Sequence, residues 1–216
     1  MQKIIKAKGM VDVNQQILIP DITIVIDNDI ITSVESGITS AQTDPEAQVV
    51  DLSDQYILPG LINSHMHLCM PGDSDFGQNP AYQKNVRELA PILAVKNALT
   101  ELNSGVTTVR DCGAWDMPTI CRAIDLEIMK GPRIYHCGRI LTITGGHGWS
   151  WNIAKEVDGI DGVITATRQN FKYGADYVKL MATGGGTLGT YPGHASFSVP
   201  EIAAAVETAH RIDKKV

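Results

Sequence analysis

Residues 58–73 read LPGLINSHMHLCMPGD, an apolar stretch that opens into a loop and carries two histidines, His65 and His67, one residue apart. Side chains along an extended strand alternate between faces. The two imidazoles therefore point the same way, with Asn63, while Ser64 and Met66 point the other. Their Cα atoms then lie ~6–7 Å apart, close enough for both rings to approach one metal ion. The pair sits where the strand runs out, and in parallel β/α folds functional groups gather at the C-terminal ends of strands. Spacing alone leaves two readings open: a metal-binding pair, or two polar residues that merely finish a strand.

The surroundings of this stretch set its context. Residues 1–56 read as a small all-β module. IIKAKGMVDV (4–13), ILIPDITIVIDNDIITSVES (17–36) and QVVDL (48–52) alternate apolar and polar residues, as half-buried strands do. Asn28-Asp29 falls where a hairpin turn is needed, and TSAQTDPEAQ (39–48) reads as a polar loop. Residues 57–216 change rhythm. A strand over 57–67 leads to a helix from about Gln83 to Leu102, and GVTTVRDCG (105–113) forms the next strand before a helix from Met117 to Met129. PRIYHCGRILTI (132–143) and ADYVKLMA (175–182) are the third and fourth strands, separated by a helix over 162–174. A last helix opens at Ser198, where SVPE places Glu201 in a capping box, and KKV (214–216) reads as the entry to a fifth strand. Four successive β-α units argue for a parallel sheet with helices outside, either doubly wound or half of a (β/α)8 barrel.

Lys179 is the second anomaly, a lysine inside a strand expected to be buried. A buried ammonium is costly, so burial favours the neutral amine. A neutral lysine can form a Schiff base or take up CO2 as a carbamate. The alternative is a strand-end lysine that reaches water or pairs with a carboxylate. Glycine-rich loops follow strands three and four. His147, in GGHGW, is a candidate to orient or polarise a substrate, against the alternative of a surface loop histidine. Gly184, Gly186 and Gly189 match a dinucleotide fingerprint, but Tyr191-Pro192 intervenes before any helix, so the nicotinamide reading fits badly. Asp111, at the end of strand two, reads as structural or as a partner of Arg110, and mid-strand His136 as a core histidine.

Bulk properties narrow the classes. The 216 residues are 44% hydrophobic and 19% charged with net charge −6, which gives no basic footprint for nucleic acid. No stretch approaches a membrane span and the first residues lack the apolar core of a signal peptide. The cysteines, Cys69, Cys112, Cys121 and Cys137, are scattered without C-x-x-C, so they read as reduced thiols of a cytoplasmic protein.

Taken together, YILPGLINSHMHL, SGVTTVRDCG and GADYVKLMATGGG resemble the amidohydrolase superfamily, in its imidazolonepropionase-like and Xaa-Pro-dipeptidase-like branch. The resemblance implies a TIM-barrel amidohydrolase fold, of which this chain supplies about the first four β-α units after a small β-sandwich-type module. It implies that His65 and His67 ligate a divalent metal, zinc by preference, as one or two ions bridged by a carboxylated Lys179. It also implies that His147 contacts the substrate. The expected activity is metal-dependent hydrolysis of an amide or peptide-like C–N bond, with a small molecule or an Xaa-Pro dipeptide as substrate. The family's later ligands and its proton-shuttling aspartate have no counterpart up to Val216. The resemblance therefore reads as the N-terminal half of an enzyme, inactive alone and suited to association with a C-terminal half. The alternative is a non-catalytic half-barrel that binds metal weakly or only self-associates.

Overall fold

The computed structural model describes residues 2–37, 46–72, 86–114, 116–151 and 153–216. The expected helix start at Gln83 and most of the expected loop at 39–48 lie outside them. The chain forms two compact units, Met1–Gly60 and Leu61–Val216.

In the first unit, β1 (Gln2–Asp12), β2 (Ile17–Asp27), β3 (Ile30–Ser36) and β4 (Gln48–Ile57) make one sheet in the order β3-β2-β1-β4. β1–β2 and β2–β3 are antiparallel, and β4 runs parallel to β1. The hairpin turns at Asn28-Asp29 as the sequence predicts, with Asn28 in the left-handed region (φ 54°) and Asp27 opposite Ile30. Ile4, Ala7, Ile22, Thr23 and Ile24 are buried in this sheet; the burial does not follow a strict two-residue alternation along either strand. Gly9 sits where the β1–β4 register slips, with the carbonyl of Ile19 and the ring of Tyr56 pressed against it. That close approach is the reason a side chain is absent there.

In the second unit, β5 (Leu61–Met66), β6 (Val106–Asp111) and β7 (Arg133–His136) form a parallel sheet in that order. β8 (Ile140–Thr142) and β9 (Ala154–Glu156) pair in parallel beside it. Helix α1 (Val86–Asn103) lies between β5 and β6, α2 (Met117–Asp125) between β6 and β7, and α3 (Gly159–Lys172) and α4 (Val199–His210) follow β9. Ala90, Ala94 and Ala98 recur at four-residue spacing along α1 and pack with Val109, Leu68, Met117 and Ile140. Leu141, Val163, Val178, Phe197 and Ala205 form a second apolar cluster.

Several expected elements are broken or shorter. The stretch 57–67 is not one strand. Ile57 ends β4 and Leu61 begins β5, because Pro59 has no N–H to give a ladder. The third strand breaks between His136 and Ile140, where Gly138 adopts φ 65° and the Asn170 amide donates to the Arg139 carbonyl at 2.8 Å. α2 stops at Asp125 rather than Met129, since Glu127 turns left-handed (φ 56°) and the N–H of Ile128 reaches back to the Ala123 carbonyl at 2.9 Å. The stretch 175–182 makes isolated bridges rather than a full ladder. Leu141 donates to the Lys179 carbonyl and accepts from the Met181 N–H, both at 2.9 Å, while the Val178 N–H reaches Lys215 at 2.9 Å. The last helix has the expected cap: the Glu201 carboxylate accepts the Ser198 N–H at 2.8 Å and its hydroxyl at 2.7 Å. Among the described residues, no helix is long and apolar enough to cross a membrane.

Candidate metal and catalytic site

The ends of β5 and β6 are bound together by one carboxylate. Asp111 is fully buried. One of its oxygens accepts the Leu68 N–H at 2.8 Å and the other accepts the Gly113 N–H at 3.0 Å. Burial pushes its carboxyl up to about 6, against the downward pull of those two donors. The Cys112 N–H donates to the Met66 carbonyl at 2.7 Å, which continues the pairing past the strand ends. Arg110 does not serve as the partner of Asp111: its guanidinium lies 4.2 Å from the centre of the Tyr177 ring, whose hydroxyl donates to the Asp111 carbonyl at 2.8 Å.

This clamp fixes the loop that orients His67. Nδ1 of His67 lies 3.1 Å from the Gly113 carbonyl oxygen, which can only accept, so Nδ1 carries the proton and Nε2 is the bare nitrogen. Burial holds the ring down to about 4, opposed by that same carbonyl. A neutral imidazole, with one nitrogen pinned by a backbone carbonyl, is the form a metal takes as a ligand. His65 stands beside it, with ring centroids 5.6 Å apart. Burial first, then the charges of Lys179 and Arg110, lower the His65 pKa. Asn63, expected on the same face, gives its amide to Glu101 of α1 at 3.2 Å, and the β5–β6 register slips between Asn63 and Met66.

Lys179 reaches the same place from the other end of the second unit. Its Nζ lies 3.4 Å from Nε2 of His65. The side chain is half-buried. So Lys179 joins His65 and His67 in one cluster although it lies 114 residues beyond His65 in the chain. Among the described residues no three His, Cys, Asp or Glu side chains converge on a metal position. The donor set fits a metal as two imidazoles plus lysine, and lysine joins it as an oxygen ligand only once its amine is converted to a carbamate.

His147 lies on the loop after β8. Nδ1 is 2.9 Å from the Thr187 hydroxyl, and burial together with the charge of Lys179 lowers its pKa. The glycine run that matches a dinucleotide fingerprint is not followed by a helix, which begins only at Val199. His136 is buried, as expected of a core histidine, and its Nδ1 accepts the Gly138 N–H at 3.2 Å. Sequence reading missed two contributors. The Gly113 carbonyl carries no side-chain signal, and Thr187 is one of several polar residues in a loop.

Comparison with known proteins identifies the family. A family profile described as "Amidohydrolase family" matches residues 56–216. The curated ochratoxinase of Aspergillus niger is 28% identical over 190 residues, covering 74% of this chain and 38% of that protein. Among solved structures, a Xaa-Pro dipeptidase with methionine bound in its active site is 31% identical with a TM-score of 0.87. The alignment covers 99% of this chain and 55% of that one. A prolidase complexed with N-methylphosphonate-L-proline is 28% identical with a TM-score of 0.86, over 99% of this chain and 54% of that one. The chain therefore spans about half the length of these structures, and less of the curated relative.

Proposed function

The chain belongs to the amidohydrolase family, and from that membership we propose that it carries part of the metal site of a hydrolase that cleaves a C–N bond, with Xaa-Pro dipeptides as the preferred substrate class. The observation that carries this reading is the meeting of Lys179 Nζ and His65 Nε2 at 3.4 Å, beside a His67 held neutral with Nε2 bare. His65 and His67 would hold a divalent ion through Nε2. Lys179 would join them after the neutral amine at Nζ attacks CO2: an N–C bond forms as one C=O π pair moves to oxygen, one N–H proton leaves to solvent, and the carbamate presents two oxygens that share one negative charge. A divalent cation, zinc by preference although imidazole and carboxylate donors suit manganese or cobalt as well, supplies Lewis acidity and a lowered pKa for water. The protein's own share is to keep both imidazoles neutral, to fix His67 through Gly113 and Asp111, and to place His147 on an adjoining loop for substrate. Two imidazoles and one carbamate leave coordination positions for other ligands, and a second polypeptide segment would supply them along with a proton-shuttling group. The likeness to a Xaa-Pro dipeptidase and a prolidase supports the substrate class. A cytoplasmic location belongs to the same reading and rests on the scattered cysteines.

Elemental analysis of protein purified from zinc- or manganese-supplemented cells tests the metal. Retained divalent metal that disappears in His67→Ala and in Lys179→Ala supports the proposal. Wild-type protein that holds no more metal than the His65→Ala/His67→Ala variant overturns it. Binding of an Xaa-Pro dipeptide by the metal-loaded protein in calorimetry, tighter than that of a dipeptide without proline, tests the substrate class separately.

A second reading is favoured by one observation: among the described residues β5 is an edge of its sheet, and it exposes Leu61 and Ile62, the latter 69% accessible. An edge strand with apolar side chains invites pairing with another polypeptide. On this reading the chain self-associates, or pairs with a complementary half, without catalysing a reaction alone.

A further inference from the structure

Thr187 joins the two glycine-rich loops that follow the third and fourth strand regions. Thr187 is 6% exposed although it lies in a loop. Its hydroxyl oxygen accepts the Gly148 N–H at 2.8 Å and lies 2.9 Å from Nδ1 of His147. Its backbone N–H also points at Nδ1, at 3.4 Å. The loop around it is stiffened by Thr190, whose hydroxyl donates to the Thr187 carbonyl at 2.7 Å and whose N–H reaches the same oxygen at 3.1 Å. On its other side the imidazole rests against Gly185, where an added Cβ would lie 2.6 Å from Nε2.

These contacts have a consequence for the proton on the ring. A backbone N–H can only donate, so Nδ1 faces at least one obligate donor and must accept. The Thr187 hydroxyl already receives the Gly148 N–H, and its own proton completes the set by pointing to Nδ1. We infer that Thr187 sets the tautomer of His147, holding Nδ1 as an acceptor so that the ring offers an N–H through Nε2 and serves to anchor a substrate oxygen rather than to abstract a proton. This is the opposite of His67, whose Nδ1 faces a carbonyl and whose Nε2 is bare. The two histidines are thus sorted by backbone polarity, one as a candidate ligand and one as a donor. Thr187 is a positioning residue in this scheme. The inference rests on the hydrolase reading only for what the Nε2–H meets, an oxygen of the substrate.

Long-range 15N–1H correlation spectra of histidine-labelled full chain, recorded without metal, read the tautomer directly, and His147→Gln identifies the signal. The expected result is a protonated Nε2 and a bare Nδ1 in the wild type, retained in Thr187→Ser and lost to a mixture or to the Nδ1–H form in Thr187→Val. A wild-type ring protonated on Nδ1 overturns the inference, as does a Thr187→Val protein with an intact amide fingerprint and an unchanged tautomer. Should the valine variant fail to fold, the wild-type spectrum decides and Thr187→Ala replaces it. Because no metal or turnover enters this measurement, failure of the hydrolase proposal would leave its outcome readable.

Discussion

Single residues show how buried polarity is organised around the histidine pair. Both oxygens of Asp111 accept backbone N–H groups. Asp111→Ala leaves the Leu68 and Gly113 donors without partners and releases the carbonyl that orients His67. The expected cost is roughly 1–3 kcal/mol per stranded group, read by urea unfolding. A fall in metal affinity of about 10–100-fold, typical for loss of an outer partner, is expected in calorimetry. His136 gives a pH prediction. Burial lowers its pKa, with Asp176 opposing and Lys214 adding to the effect. The unfolded chain therefore binds a proton more readily than the folded one. Stability is then present above the ordinary value of about 6.5 and falls as pH drops below it. Replacing His136 by Gln should flatten that part of the stability–pH curve relative to wild type, and parallel curves would count against it. Cys121 is pushed up to about 11 by burial and by nearby carboxylates, chiefly Asp176. Its alkylation at neutral pH should be far slower than that of a free thiol, as mass spectrometry after iodoacetamide treatment would show.

At the level of elements, periodicity predicted which segments are helix and which are strand, and tertiary contacts set where they stop. The 117–129 helix ends early because Glu127 turns left-handed, and the third strand breaks at Gly138; neither event has a signature in apolar spacing. The fourth strand, expected over 175–182, survives as a parallel bridge to Leu141 on one side and Lys215 on the other. That is enough to aim Lys179 at the histidines. In the first unit, Gly9→Val should be damaging, because the Ile19 carbonyl and the Tyr56 ring occupy the space a side chain needs. Overpacking of this kind costs about 1–3 kcal/mol and would appear as a lowered denaturation midpoint.

For the whole molecule, the feature with consequences is the exposed edge of the parallel sheet. Leu61 and Ile62 on β5 face solvent, and the first unit exposes Ile30, Ile31 and Val49. Sedimentation velocity should show concentration-dependent association at micromolar protein. Ile62→Lys should shift the distribution toward monomer, since a charge on an edge strand discourages pairing. A wild-type protein that remains monomeric across that range removes the self-association reading.

By itself the sequence determined the class of the architecture, the β-to-β/α change of rhythm, and the His65–His67 pair. Those are encoded in local alternation and in motifs a few residues long. Tertiary structure alone decided that Lys179 reaches His65, that Gly113 and Asp111 set the state of His67, and that Thr187 clasps His147. Each of these joins groups 40 or more residues apart. The states of His67 and His147 depend on backbone carbonyls and N–H groups, which every residue carries alike and which leave no mark in the order of side chains, and the meeting of Lys179 with His65 depends on the path of the chain between them, which no local motif encodes.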